Sequence, residues 1–152
     1  MTNDTDIWTL DKVLEATGGH LLTKGQEKKI TGISTDSRTL RSGDLFIALK
    51  GENFDGHQFV DQAVSRGATG VVVALQEKEA VDFQKLQVTV ISVTDTLRAL
   101  GDLAAFWRRR YFFPVVAITG SNGKTTTKEM VAAILSRSWK VLKNLGTFNN
   151  LV

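Results

Sequence analysis

The chain has 152 residues, 42% of them hydrophobic, with 19 basic against 16 acidic side chains and a formal net charge of +3. That length allows one medium domain, or a small domain plus part of another, and the hydrophobic fraction is ordinary for a packed globular core. With no cysteine, disulfides and thiolate metal sites are excluded, and the slight positive balance suits a phosphate-bearing ligand without pointing to nucleic acid.

The opening "MTNDTDIWTL" is acidic and polar and lacks the basic-then-apolar order of a signal peptide. No apolar run approaches the roughly 20 residues of a membrane span. A cytosolic protein is expected, with no nucleic-acid partner and no membrane insertion.

The first predicted helix covers Thr9 to Thr17, with Leu10, Val13 and Leu14 on one face and Gly18–Gly19 as its stop. "KKITGISTDSRTL" places Ile30 and Ile33 in a short strand that runs into a hydroxyl-rich turn. After the turn at Ser42–Asp44, "LFIAL" from Leu45 to Leu49 reads as a compact buried strand. Lys50 to about Gly56 is an exposed loop. Phe59, Val60, Ala63 and Val64 then recur at helical spacing up to Gly67. "GVVVAL" from Gly70 and "VTVISV" from Val88 are strands rich in β-branched residues. Between them lies the polar, partly helical "QEKEAVDFQK".

Thr94 or Asp95 can cap the next helix, whose inward stripe is Leu97, Leu100, Leu103, Ala104 and Trp107. It ends in Arg108–Arg110, read as a solvated helix end that complements the helix dipole. His20 has no motif around it and reads as a surface residue. Pro114, the only proline, separates this helix from the apolar run Val115–Thr119. A domain boundary is placed near residue 113, giving units 1–113 and 114–152. The expected fold class is α/β: a small N-terminal α/β domain, then the start of a parallel-sheet domain with a phosphate loop.

"VVAITGSNGKTTTKEM", Val115 to Met130, carries the chemistry. A buried strand, a glycine turn and a helix over about Lys124–Arg137 are expected, with Met130, Ile134 and the neighbouring alanines facing inward. Gly120 and Gly123 let the backbone approach a phosphate, and the free amides at the helix start point at the anion with the helix dipole behind them. Lys124 adds a mobile charge for the outer phosphates, and the Thr125 hydroxyl is placed to ligate Mg²⁺. The pattern G-x-x-x-x-G-K-[ST] would need Gly at 118, which is Ile118. The residues fit a shorter T-G-x-x-G-K-T form.

"ITGSNGKTTTKEM" resembles the ATP loop of the Mur ligases, the amide-bond-forming enzymes of peptidoglycan precursor synthesis. Upstream, "GISTDSRTLRSGDLFIALKGENFDGHQFVDQAVSRGA" is similar to their N-terminal domain, which holds the UDP end of the substrate. Downstream, "GTFNN" at Gly146–Asn150 resembles their G-N-x-N-N segment, with Thr147 standing where the family usually has Asn. The "KEM" and the double Asn resemble the branch that adds D-Ala-D-Ala to UDP-N-acetylmuramoyl-tripeptide. The branch adding diaminopimelate or lysine, and a non-catalytic nucleotide-binding module, stay open as alternatives.

The resemblance implies ATP-dependent ligation through an acyl phosphate, with ATP and Mg²⁺, by a monomer. It implies that Gly120, Ser121, Asn122, Gly123, Lys124, Thr125 and Thr126 bind the ATP phosphates, with Lys124 catalytic and Thr125 on the metal. It further implies that Ser34, Thr35, Asp36, Ser37 and Arg38 form the uridine-side pocket, lined also by Lys50, Asp55, Gly56 and His57, and that Asn149 and Asn150 face substrate or phosphate. The family's remaining metal ligands, its adenine and amino-acid pockets and its third domain are expected beyond residue 152. The chain by itself is therefore expected to be catalytically silent.

Overall fold

The computed structural model describes residues 8–26, 29–51, 54–77, 82–83 and 85–144. They divide into two compact units, Met1–Tyr111 and Phe112–Val152. Unit 1 is an α/β layer structure around a five-stranded sheet in the order β1-β5-β4-β3-β2. The strands are β1 (His20–Thr23), β2 (Gly32–Ser34), β3 (Asp44–Ile47), β4 (Gly70–Ala74) and β5 (Thr89–Val93). β2 to β5 run parallel, and β1 closes one edge antiparallel to β5.

Side chains alternate across a strand, so a sheet covered on both faces sorts its residues into two cores. Leu45, Ile47, Val72, Ile91 and Val93 point to one face. There they meet Val13 of α1 (Leu10–Thr17) and Ala99 and Leu103 of α3 (Thr96–Arg108). Phe46, Ala48, Val71, Val73 and Val90 point to the other, against Leu40 and against Val60 and Ala63 of α2 (Val60–Ser65). Each buried Val, Leu, Ile or Phe contributes about 1.5–3 kcal/mol.

The helix signals read from the sequence are realised in detail. Gly18 stops α1, its amide returning to Leu14 O at 2.9 Å, while Thr9, read as the first helical residue, is instead the cap, with Oγ1 accepting from the Lys12 amide at 3.3 Å. Asp95 Oδ1 accepts from the amides of Leu97 and Arg98 at 2.8 and 2.9 Å, so Asp95 rather than Thr94 is the cap. Within α3 the buried stripe uses Ala99, while Ala104 is exposed. Trp107 stacks on Trp8 with ring centroids 5.2 Å apart, and the Arg110 guanidinium lies 5.1 Å from the Trp107 centroid. Only part of the arginine run is thus a solvated end. His20 is exposed, as expected.

Three expectations need correction. β1 was not foreseen: its four residues are mostly exposed, so the ladder to β5 rests on backbone pairing that leaves no burial pattern. In unit 2, Val115–Thr119 does not form the expected strand among the described residues. A strand exists through its neighbours' hydrogen bonds, and Val115 and Val116 are 63% and 59% exposed. The third concerns α4 (Lys124–Leu135), which is shorter than expected and has Met130 and Ile134 exposed, with Ala132 its one buried residue.

Leu21 and Ile91 face each other in the β1–β5 register, yet Leu21 is 40% exposed and Ile91 fully buried. Ile91→Ala is expected to destabilise unit 1 by about 2–5 kcal/mol, and Leu21→Ala to stay within about 0.5 kcal/mol. Urea titration followed by far-ultraviolet circular dichroism measures both.

Candidate functional site

In unit 1 the residues singled out from the sequence gather at the carboxyl ends of the parallel strands, where open α/β sheets bind ligands. Ser34 ends β2 and Lys50 lies just past β3, and Glu77, which was not among them, closes the short turn after β4. A cleft of about 550 Å³ opens elsewhere, among residues at the amino ends of the strands such as Leu45, Thr69, Gly70 and Thr89. None of the predicted residues lines it.

The hydroxyl-rich turn is held by its own side chains and by α2. Ser34 Oγ donates to Asp36 O at 3.0 Å and accepts from the Asp36 amide at 3.3 Å. Thr35 is half-buried between them. Ser37 is buried and donates to Gln62 Oε1 at 2.5 Å. One helical turn on, Arg66 Nη1 donates to Arg38 O at 2.7 Å. Residues i and i+4 share a helix face, so Gln62 and Arg66 clamp the turn together. Neither was singled out from the sequence, although their spacing on a predicted helix was a readable signal.

Arg38 is exposed and folds back on Asp36, with Nε 2.9 Å from Oδ1 and Nη2 2.8 Å from Oδ2. These hydrogen bonds hold the Asp36 carboxyl at about 2, below its ordinary 3.8.

"DGH" has a separate structural meaning at each position. Asp55 caps the 3-10 turn Gly56–Phe59 by accepting from the His57 amide at 2.9 Å. Gly56 is required by close approach: a Cβ there would lie 2.7 Å from Leu49 O and 2.8 Å from Leu49 N. His57 is 4% exposed, with Nδ1 2.6 Å from Asp55 Oδ1 and Nε2 2.9 Å from the Ala74 amide nitrogen. Burial pushes the Asp55 carboxyl up, but hydrogen bonds from His57 outweigh it and leave it below the usual range. Lys50 Nζ pairs with Glu77 and lies 3.8 Å from Asp55 Oδ2. The bond to Glu77, above all, raises the Lys50 ammonium. Glu77 was also missed, because in "QEKEA" it looks like one more surface charge.

In unit 2, Gly123 is the N-cap of α4, with φ +76°, and Gly120 has φ +144°. Side chains are strained in that region, so both positions favour glycine. Gly123 supplies no side-chain cap, and no acid stands in the first turn. The helix start is thus left to its amides and dipole. Lys124 Nζ folds back over the loop to Gly120 O at 2.5 Å. Ser121, Asn122, Thr125 and Thr126 are exposed beside it. Asn149 and Asn150, like Thr147, lie outside the described residues. Among the described residues no group of three His, Cys, Asp or Glu forms a metal site.

The depressed value of Asp36 fixes the sign of a pH effect. The Asp36–Arg38 pair contributes fully above pH 3.8 and is lost as pH falls through about 2. Arg38→Ala is expected to return the carboxyl toward 3.8, and added salt to move it the same way, both read by carboxyl ¹³C NMR titration.

Comparison with known proteins accounts for both units. The Mur ligase family catalytic domain matches residues 29–108, and the Mur ligase middle domain matches residues 118–152. A UDP-N-acetylmuramoyl-tripeptide--D-alanyl-D-alanine ligase of Synechocystis is 46% identical over 125 residues, 82% of this chain and 27% of that protein. The crystal structure of MurF from Acinetobacter baumannii superposes with a TM-score of 0.80 at 41% identity, over 96% of this chain and 31% of that one. MurF from Thermotoga maritima in complex with ADP superposes with a TM-score of 0.67 at 33% identity, over 79% and 26%. The chain therefore spans about three tenths of the length of the proteins it matches. With one family accounting for residues 29–108 and 118–152 alike, the chain belongs to the Mur ligase family.

Proposed function

We propose that this chain is the N-terminal part of an ATP-dependent ligase that joins D-Ala-D-Ala to UDP-N-acetylmuramoyl-tripeptide in peptidoglycan precursor synthesis. What carries the reading is the 46% identity to a D-alanyl-D-alanine ligase across 82% of the chain. The glycine-capped start of α4 supports it chemically. In this reading residues 1–113 hold the UDP end of the substrate and residues 114–152 begin the domain that takes ATP.

The γ-phosphoryl group passes to the terminal carboxylate of the tripeptide, and ADP leaves. The amine of D-Ala-D-Ala then attacks the acyl carbon, phosphate departs and the amide bond remains. The chain's own contribution is positioning and charge. Amides of Gly120 to Thr126 donate to phosphate oxygens at the helix start. Lys124 leaves the Gly120 carbonyl for the outer phosphates and spreads the charge that develops in transfer. Thr125 offers an exposed hydroxyl in the first turn of α4, a fitting ligand for Mg²⁺, which takes few protein ligands beside phosphate oxygens. When bound, Mg²⁺ would neutralise charge on those oxygens.

On the substrate side, Ser34, Thr35, Asp36, Ser37 and Arg38 offer donors and acceptors to a uracil edge or phosphate, with Lys50, Asp55, Gly56 and His57 at the neighbouring strand ends. Asn149 and Asn150 are assigned to the substrate and phosphate region by their motif. We place the protein in the cytoplasm as a monomer. No helix among the described residues is long and apolar enough to cross a membrane.

The chain alone is expected to bind UDP without turning over ATP. Co-expressed with the remaining part of a D-alanyl-D-alanine ligase, it is expected to restore phosphate release that depends on UDP-N-acetylmuramoyl-tripeptide and D-Ala-D-Ala. Lys124→Ala should lower that rate by about 10²-fold or more. Turnover with diaminopimelate as acceptor, or none with any acceptor, would overturn the assignment.

A further inference from the structure

His57 is a buried titratable side chain at the carboxyl edge of the sheet, at 4% exposure, and both of its ring nitrogens are engaged. The tautomer follows from the partners. The Ala74 amide can only donate, so Nε2 accepts from it at 2.9 Å. The ring proton therefore sits on Nδ1 and is donated to Asp55 Oδ1 at 2.6 Å. The same carboxylate oxygen accepts from the His57 amide at 2.9 Å. The ring keeps no donor or acceptor for a ligand.

The ring instead joins two pieces of backbone at the edge where a ligand would sit. Asp55 belongs to the loop after β3, where Lys50 and Asp55 also form a backbone bridge. Ala74 is the last residue of β4. A second tie runs parallel to the first, from Lys50 to Glu77 just beyond Ala74. Lys50, Asp55 and His57 are thus fastened to the end of β4 by one buried neutral latch and one exposed ion pair. The latch is the stronger of the two, since exposed pairs contribute little and a buried amide left without an acceptor is costly.

We propose that His57 is a positioning residue: as the neutral Nδ1–H tautomer it latches the loop after β3 onto the end of β4, and so shapes the UDP pocket without contacting the ligand. The proposal rests on the reading that this edge receives UDP.

The test uses the 152-residue chain, UDP as probe, titration calorimetry, and ¹⁵N spectra of the imidazole and of the Ala74 amide. Wild-type protein is expected to bind UDP with the His57 ring resonances in the Nδ1–H pattern and unmoved at saturation. His57→Ala should raise the Kd for UDP about tenfold, the equivalent of one buried hydrogen bond, and speed hydrogen exchange at Ala74. His57→Gln, whose side-chain carbonyl can accept from the Ala74 amide, should recover part of the affinity; it also serves as the comparison if His57→Ala does not fold. Ring resonances that shift on saturation would make His57 a ligand contact and overturn the proposal. A folded variant with fast Ala74 exchange and an unchanged Kd would overturn it too, leaving a stabilising role alone. Absence of UDP binding by the wild type would remove the site reading itself, and the proposal with it.

Discussion

Burial of the parallel strands on both faces is the constraint from which the rest of unit 1 follows. All four residues of β3 and all five of β4 are buried. Alternation sends neighbours in each strand to opposite cores. A strand of that kind has no face left for a ligand, so recognition moves to its ends. The described residues that follow β2, β3 and β4 at the carboxyl edge are cross-tied by their side chains. They can hold side chains in fixed geometry because the strands beneath them cannot shift without disturbing both cores.

Charge is distributed differently in the two units. Along the carboxyl edge of unit 1, Arg38 is matched by Asp36, and Lys50 by Glu77 and Asp55. That edge therefore offers hydroxyls, amides and compensated ions, a surface suited to hydrogen-bonded recognition of a polar ring. At the start of α4 the balance is the reverse. Among the described residues Lys124 meets only a backbone carbonyl, and the first turn contains no acid. A strongly charged phosphate chain is favoured there by the helix dipole and the lysine together.

Much of this was legible because it is local. The helix begun near Thr9, the cap at Thr94 or Asp95, the Gly18 stop, and the runs at Leu45, Gly70 and Val88 announce themselves by residue type and period, and the elements stand close to where expected. β1 was illegible because its residues are mostly exposed and its ladder is made of backbone alone. Gln62, Arg66 and Glu77 were missed because each acts on a group 25 to 28 residues away in sequence; helical spacing puts Gln62 and Arg66 on one face but does not name what they reach. Asp55, Gly56 and His57 were named with Lys50 as pocket-lining residues, but their division into cap, close approach and latch needed three dimensions. In unit 2 the positive-φ turn was readable from the positions of Gly120 and Gly123. The inward stripe of α4 was not, since period alone does not say what stands opposite.

The bare glycine before α4 has a thermodynamic consequence. A serine or aspartate cap accepts from a first-turn amide with its own side chain, whether or not anything else is present. Gly123 withholds that contribution, so the first turn of α4 depends on whatever acceptor comes to its amides. An anion settling there would act as the cap, and occupancy and helical order at Lys124–Thr127 would become one variable. Order at the start of this helix would then rise with the concentration of the ligand, as linkage requires for any species bound only by the ordered state.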